Sequence, residues 1–288
     1  MKFLRLKLLS AGGAFALTAS LALIVPAGAL ASGGGDSYIC SGGNTVPGGL
    51  TSIPSGTYSS IVVKGVCAID QGSVTVRHDV SVARGGELVA MFSGSDLTVL
   101  GNVSVARNGT LVVGCGGASD SVCFLDQGFG YDPTGAARVR IGRNLTSESA
   151  LAVIVHTTSI GGNLTQTGGG GGVNCDPHAE TLGGPAYSTY ESSTIGGNAT
   201  IIGVRSCWLG FISNTVHRNV AISHNVMADA YPLPSGEVFW DGNEVDANTI
   251  GGNLSCFGNA PAAQLGDHGG PLNTVGGQAT GQCRTLKT

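Results

Sequence analysis

The chain has 288 residues, 49 of them Gly; 42% are hydrophobic, 6% aromatic and 11% charged, and the formal net charge is −4. Helix interiors disfavour Gly and solvated helix faces need charge, so a helical bundle is excluded. Gly without a three-residue period excludes collagen, high hydrophobicity at low net charge argues against disorder, and the negative balance argues against binding nucleic acid through its phosphates. An all-β fold with many tight turns remains.

The first thirty-one residues have the form of an export signal. Lys2, Arg5 and Lys7 precede the apolar stretch from Ala14 to Val25, Pro26 breaks it, and Ala29-Leu30-Ala31 offers small residues for cleavage after Ala31. About twelve apolar residues are too few for a comfortable span of the bilayer, which takes roughly 20. Removal of residues 1–31 would leave 11 basic against 18 acidic residues. No later segment is apolar enough to predict a transmembrane helix once the signal is gone. The expected location is secreted, extracellular.

Residues 32–75, with Cys40, Pro54 and Cys67, are expected to form an N-terminal cap. From 76 to 255 one short phrase recurs. Its clearest copies are Ile160-Gly161-Gly162-Asn163-Leu164-Thr165, Ile195-Gly196-Gly197-Asn198-Ala199-Thr200 and Ile250-Gly251-Gly252-Asn253-Leu254-Ser255, with Ile141-Gly142-Arg143-Asn144-Leu145-Thr146 a fourth. Looser copies begin at Val76, Val99, Val216 and Val275. The Asn position falls at 79, 102, 144, 163, 198, 219, 253 and 278, at intervals of 23, 42, 19, 35, 21, 34 and 25 residues, with Asp at 79 and Gln at 278. Intervals near twenty suit one coil of a β-solenoid; longer ones suit a coil with an insertion or two coils. The leading Ile or Val should point inward, the Gly pair should turn the backbone through positive φ, and stacked Asn side chains could form a ladder. The alternation in Val80-Ser81-Val82 and Val103-Ser104-Val105 is that of a strand with one face inside.

The predicted fold is therefore all-β: a single-stranded parallel β-helix, or solenoid, with disulfide-stapled caps and inserted loops. No single coil can bury its inner face alone, so stacking must supply the core. A β-sandwich is the rival, but it would not repeat one phrase along the chain. The insertions are expected near 115–138, 167–192 and 226–247, and 256–288 is expected to be the C-terminal cap. These insertions hold much of the aromatic and acidic content, and loops on a rigid scaffold are a common place for function. The candidate ligand-binding residues are Asp126, Asp132, Asp176, His178, Tyr187, Tyr190, Glu237, Trp240 and Asp241. Equally, the loops could be flaps whose aromatics pack on the solenoid flank.

An even number of cysteines in an exported chain predicts disulfides. In a stacked fold neighbours in sequence are neighbours in space, so the expected pairs are Cys40 with Cys67, Cys115 with Cys123, Cys175 with Cys207 and Cys256 with Cys283. No C-x-x-C pair suggests zinc, and neither a metal nor another cofactor is expected. Five of the six Asn-x-Ser/Thr triplets (Asn102, Asn144, Asn163, Asn198 and Asn253, with Asn108 the sixth) are the repeat itself, which weakens them as glycosylation signals. Gly-x-Ser-x-Gly, His-Glu-x-x-His and phosphate-loop patterns do not occur.

Through its Ile-Gly-Gly-Asn-Leu-Thr copies, and through the ending from Asn273-Thr274-Val275-Gly276-Gly277-Gln278 to Gly281-Gln282-Cys283, the chain resembles secreted Gly-rich β-solenoid proteins of actinobacterial type. It also looks remotely like the polymer-forming bactofilins, although the cysteines and the signal depart from those cytoplasmic proteins. Pectate lyases and polygalacturonases are similar in architecture only, and the polygalacturonase signatures are not present. Two functions are therefore expected. The first is a non-enzymatic exported rod that binds a surface, a polysaccharide or its own copies. The alternative is a polysaccharide lyase or hydrolase drawing Asp126, Asp132, Arg138, Arg140, Asp176, His178, Glu237, Trp240 and Asp241 from the insertions. Ice binding is disfavoured because about one outward Thr or Ser per coil is visible, with no Thr-x-Thr ladder.

Overall fold

The computed structural model describes residues 35–42, 50–116, 135–175, 185–229, 242–266 and 270–288, together with the backbone of 231–232 and 238–239. The expected signal, residues 1–31, lies outside them. The compact unit Gly33–Thr288 is an all-β parallel solenoid, as expected. No helix among the described residues is long and apolar enough to cross a membrane.

Three sheets run the length of the stack, each taking one strand from successive coils. Among the described residues the first sheet holds ten strands, from Tyr38–Cys40 through Val80–Val82, Val103–Val105 and Leu164–Thr167 to Leu254–Phe257 and Ala279–Gly281. The second holds eight, from Thr51–Ser52 through Glu87–Ala90 and Ala152–His156 to Asn243–Asp246. The third holds nine, from Gly56–Tyr58 through Ser95–Val99, Arg138–Ile141 and Thr194–Ile195 to Thr274–Val275.

Register keeps like on like. Val80, Val82, Leu88, Ala90, Leu97 and Val99 lie inside one coil; Val103, Val105, Leu111, Val113, Val139 and Ile141 lie directly against them in the next. The resulting apolar column runs from Cys40 to Leu286. Fully burying one Val or Leu is worth roughly 1.5–3 kcal/mol. A coil offers that burial only when another covers it, so the column is a property of the stack. A second apolar cluster lies outside the column: Ala68, Val89, Val112 and Ile154 follow one another on the outer face of the second sheet, with Met91, Phe92 and Tyr187 packed there.

The corners explain the repeat. Between the third and first sheets the expected ladder is present. Asn102 donates its backbone N–H (2.7 Å) and side-chain amide (2.9 Å) to Asp79 Oδ1. Asn144, Asn163, Asn198, Asn219, Asn253 and Gln278 each donate their backbone N–H to the side-chain oxygen of the preceding member. The role of the Gly pair differs from the expectation. Gly161 and Gly162 do not have positive φ. They are small because the coils touch: a Cβ at Gly161 would lie 2.4 Å from Gly142 O, and one at Gly162 would lie 2.5 Å from Asn144 Oδ1. Arg143 and Arg218 at the second Gly position are exposed, as expected.

The left-handed residues sit at the other two corners. After the first sheet the αL conformation is held by Asn108, Ser149 and His224; after the second it is held by Thr157, Ser192, Ser213 and Ala247. Two further ladders follow these turns, and both are buried. Asn214 donates to Asn248 Oδ1, and Asn248 donates to Asn273 Oδ1. Asn225 donates to Asn259 Oδ1, and Asn259 donates to Gln282 Oε1.

Coils of the stack also occupy the two regions expected to be caps. The expected N-terminal cap, 32–75, contains ordinary coils: Tyr38–Cys40 pairs in parallel with Ile61–Val63, and Gly56–Tyr58 pairs with Gly72–Val76. The expected C-terminal cap, 256–288, likewise carries Thr274–Val275 and Ala279–Gly281 in register before a short 3-10 turn at Gln282–Thr285. The disulfides Cys40–Cys67, Cys175–Cys207 and Cys256–Cys283 form as expected. Cys115 is also disulfide-bonded; Cys123 lies outside the described residues.

Candidate binding surface

Every interruption of the stack among the described residues falls at a corner that borders the second sheet, between 113 and 138, 167 and 188, 227 and 243, and 257 and 274. The corner from third to first sheet has none, because its ladder joins adjacent coils without a spare residue. Of the expected ligand-binding residues, Asp126, Asp132, Asp176, His178, Glu237, Trp240 and Asp241 lie outside the described residues. Tyr187 is half-buried and its ring lies 5.5 Å from that of Trp208. Tyr190 is corrected: it points into the column, 1% exposed, and its hydroxyl donates to Gln166 Oε1 at 2.7 Å, while Gln166 donates to Ser188 Oγ. Burial pushes its phenol far above the ordinary value of 10.0. A strand alternates strictly, and Ser188–Glu191 puts residue 190 on the inner side.

The outward positions of the second sheet carry His156, Glu191, Glu244 and Asp246. His156 Nε2 lies 3.7 Å from Glu191 Oε1, but His156 is 1% exposed, and Glu191 also accepts from Thr189 Oγ1 at 2.7 Å. His156 and Asp246 are buried, and Glu191 and Glu244 are only partly exposed, so this row offers less to a polymer passing outside than an exposed one would.

The third sheet is different. Its outward row immediately before the leading Ile or Val is Thr57, Thr75, Thr98, Arg140, Ser159, Thr194, Thr215, Thr249 and Thr274, each in direct register with the next. Thr194, Thr215, Thr249 and Thr274 are exposed. A parallel sheet spaces such a row at about 4.8 Å per coil. The first sheet carries its own outward row, including Ser81, Ser104, Thr146, Thr165 and Thr200. The solenoid therefore presents two hydroxyl rows on adjacent sheets, where sequence reasoning found one. The missed row has a signal: the repeat phrase starts one residue earlier, as Thr-Ile-Gly-Gly-Asn, and the buried ladder adds Asn before that, as in Asn248-Thr249-Ile250.

An open cavity of about 550 Å³ interrupts the row. Its floor is Ser73, Thr75, Asp96, Thr98, Arg138 and Arg140. Its wall includes Cys115 and Ala137, whose backbones exchange hydrogen bonds at 3.3 and 3.0 Å at the neck of the insertion. Arg138 and Arg140 stand two residues apart on one strand and therefore share its outer face. Asp96 is the register partner of Arg138, and Thr98 that of Arg140. Ser73 Oγ approaches Asp96 Oδ2 at 3.5 Å. Among the described residues no group of three or more His, Cys, Asp or Glu could hold a metal ion.

No protein-family model matches the chain, and neither a curated protein nor a solved structure is similar enough to match it.

Proposed function

We propose that this chain is an exported, non-enzymatic β-solenoid that binds a polysaccharide or polysaccharide-coated cell surface along its third sheet. The observation that carries the reading is the straight outward row from Thr57 to Thr274, eight hydroxyl residues and one Arg on consecutive coils. A rigid row of hydroxyl groups with methyls beside them suits repeating sugar units, whose faces combine C–H and O–H groups. The disulfides favour an oxidising compartment, and the export signal read from residues 1–31 agrees with that. The likeness to secreted Gly-rich solenoids points the same way.

The test is a pull-down on a panel of cell-wall and plant polysaccharides, with reducing ends and unsaturated products assayed in the same tubes. Binding without product is expected, and it should weaken when Thr215 and Thr249 are both replaced by Glu. Product release would overturn the non-enzymatic reading, and unchanged binding by the double variant would remove the third sheet as the surface.

A further inference from the structure

We propose that the cavity on the third sheet selects polysaccharides that carry carboxylate groups, with Arg140 as the principal contact and Arg138 beside it. The inference rests on the polysaccharide reading above and adds the charge of the ligand.

The outward row from Thr57 to Thr274 is otherwise made of small hydroxylated side chains, which suit a strand. At Arg138–Ile141 it carries Arg140 instead, the row beside it passes from Ser73 through Asp96 to Arg138, and the cavity lies there. Two guanidinium groups on one strand face repel each other, so their placement costs stability unless an anion joins them. Asp96 faces Arg138 across the ladder, but it forms no ion pair with it. Arg140 has hydroxyl residues on both sides, Thr98 and Ser159, and neither Arg has a hydrogen-bond or ion-pair partner among the described residues. Two positive charges against one negative leave the floor with a surplus suited to a singly charged group. At the adjoining corner the exposed Arg77 and Arg143 add two positive charges against the one carboxylate of Asp79, which raises the local potential further.

The formal charge of −4 for the whole chain does not cancel this. Charges farther than about 8–10 Å are largely screened at physiological salt, so a polymer at the cavity meets the local surplus. A guanidinium fork fits the plane of a carboxylate with two parallel N–H···O bonds. The hydroxyls of Ser73, Thr75 and Thr98 on the same floor can bond the neutral part of the sugar.

The experiment measures binding of the protein to polygalacturonate, to the same polymer fully methyl-esterified, to dextran sulfate and to single-stranded DNA. Polygalacturonate should bind, and should release as ionic strength rises. Its neutral ester should bind at least roughly tenfold more weakly. Arg140→Ala should cost a similar factor, Arg138→Ala less because Asp96 already offsets it, and Arg107→Ala on a different corner should change nothing while removing the same charge. Unchanged melting temperatures exclude a folding defect as the cause.

Equal binding of the acid and the ester, or full binding by Arg140→Ala, overturns the carboxylate selection while leaving polysaccharide binding in place. Dextran sulfate or DNA binding as tightly as polygalacturonate overturns it too, since the site would then read charge alone. If no polysaccharide is bound in any arm, this inference and the proposed function both fall.

Discussion

The same residue does two different things at the corners of this solenoid. Between the third and first sheets, Asn163 and its stacked relatives face solvent. At the other two corners Asn214, Asn225, Asn248, Asn259 and Asn273 are buried. In each ladder the side-chain oxygen accepts the backbone N–H of a neighbouring coil. Outside, water could take that place if the Asn were lost, so the ladder mainly sets the alignment of the coils. Inside, no water competes, and the amide must also satisfy a carbonyl: Asn248 Nδ2 donates to Phe211 O at 2.7 Å and to Asn273 Oδ1 at 2.8 Å. Burial, rather than bond geometry, decides how much an Asn stabilises.

The largest expected effect is therefore Asn248→Ala. It strands the backbone N–H of Asn214, leaves the Asn214 amide only its bond to Tyr190 O, and takes the side-chain donor from the carbonyl of Phe211; it should cost about 3–5 kcal/mol, read from denaturant midpoints at constant m. Reduction of the disulfides comes next. Cys40–Cys67 and Cys256–Cys283 each close 27 residues at the two ends of the column, and a loop of that size is worth roughly 3–4 kcal/mol. Amide exchange after reduction should rise first in the N-terminal coils joined by Cys40–Cys67 and in the insertion held by Cys175–Cys207, and last in the C-terminal coils, where the buried ladders run from Asn214 to Asn273 and from Asn225 to Gln282. Simultaneous loss of all protection would show that the ladders do not hold the C-terminal coils together.

Asn163→Ala, made in the exposed ladder, should cost no more than about 1 kcal/mol. A loss equal to that of Asn248→Ala would erase the distinction between the two corners. The exposed ladder begins on a carboxylate, so it has a pH dependence that the buried ones lack. The backbone N–H of Asn102, followed by its amide and the nearby His78 and Arg143 charges, holds the Asp79 carboxyl below its ordinary 3.8, against a smaller opposing effect of burial. A lowered folded pKa contributes stability above the unfolded value and loses it as pH falls through the folded one. Wild type should lose this contribution below about pH 4, and Asp79→Asn should not, as followed by melting temperature across pH 2–6.

The smallest effect is expected at the turn before the buried ladder. Ala247 sits at φ 54, a conformation that Gly adopts freely. Ala247→Gly should raise stability by about 0.5–1 kcal/mol, once the greater freedom of the unfolded chain is set against the relief.

Much of the architecture was legible because a solenoid writes one coil many times. The Gly-Gly-Asn corners, the inward Val and Ile and the three described cysteine pairs all follow from local repetition. Thr194, Thr215, Thr249 and Thr274 were equally periodic, but they stand one residue before the recognised phrase, so their alignment went unread. Tyr190 was misjudged because an aromatic near Gly-rich sequence looks like a loop residue, and only strand phase puts it inside.

The amino-acid sequence alone determined the coil: its length, its inner face and the residues that turn its corners, because each of these depends on neighbours along the chain. The tertiary structure decided which Asn is wet and which is dry. It also decided which flank is covered, and that Arg138 and Arg140 open onto a cavity while His156 and Glu191 do not. Those outcomes depend on register between coils and on which outer side chains pack together, and neither is written within a single repeat.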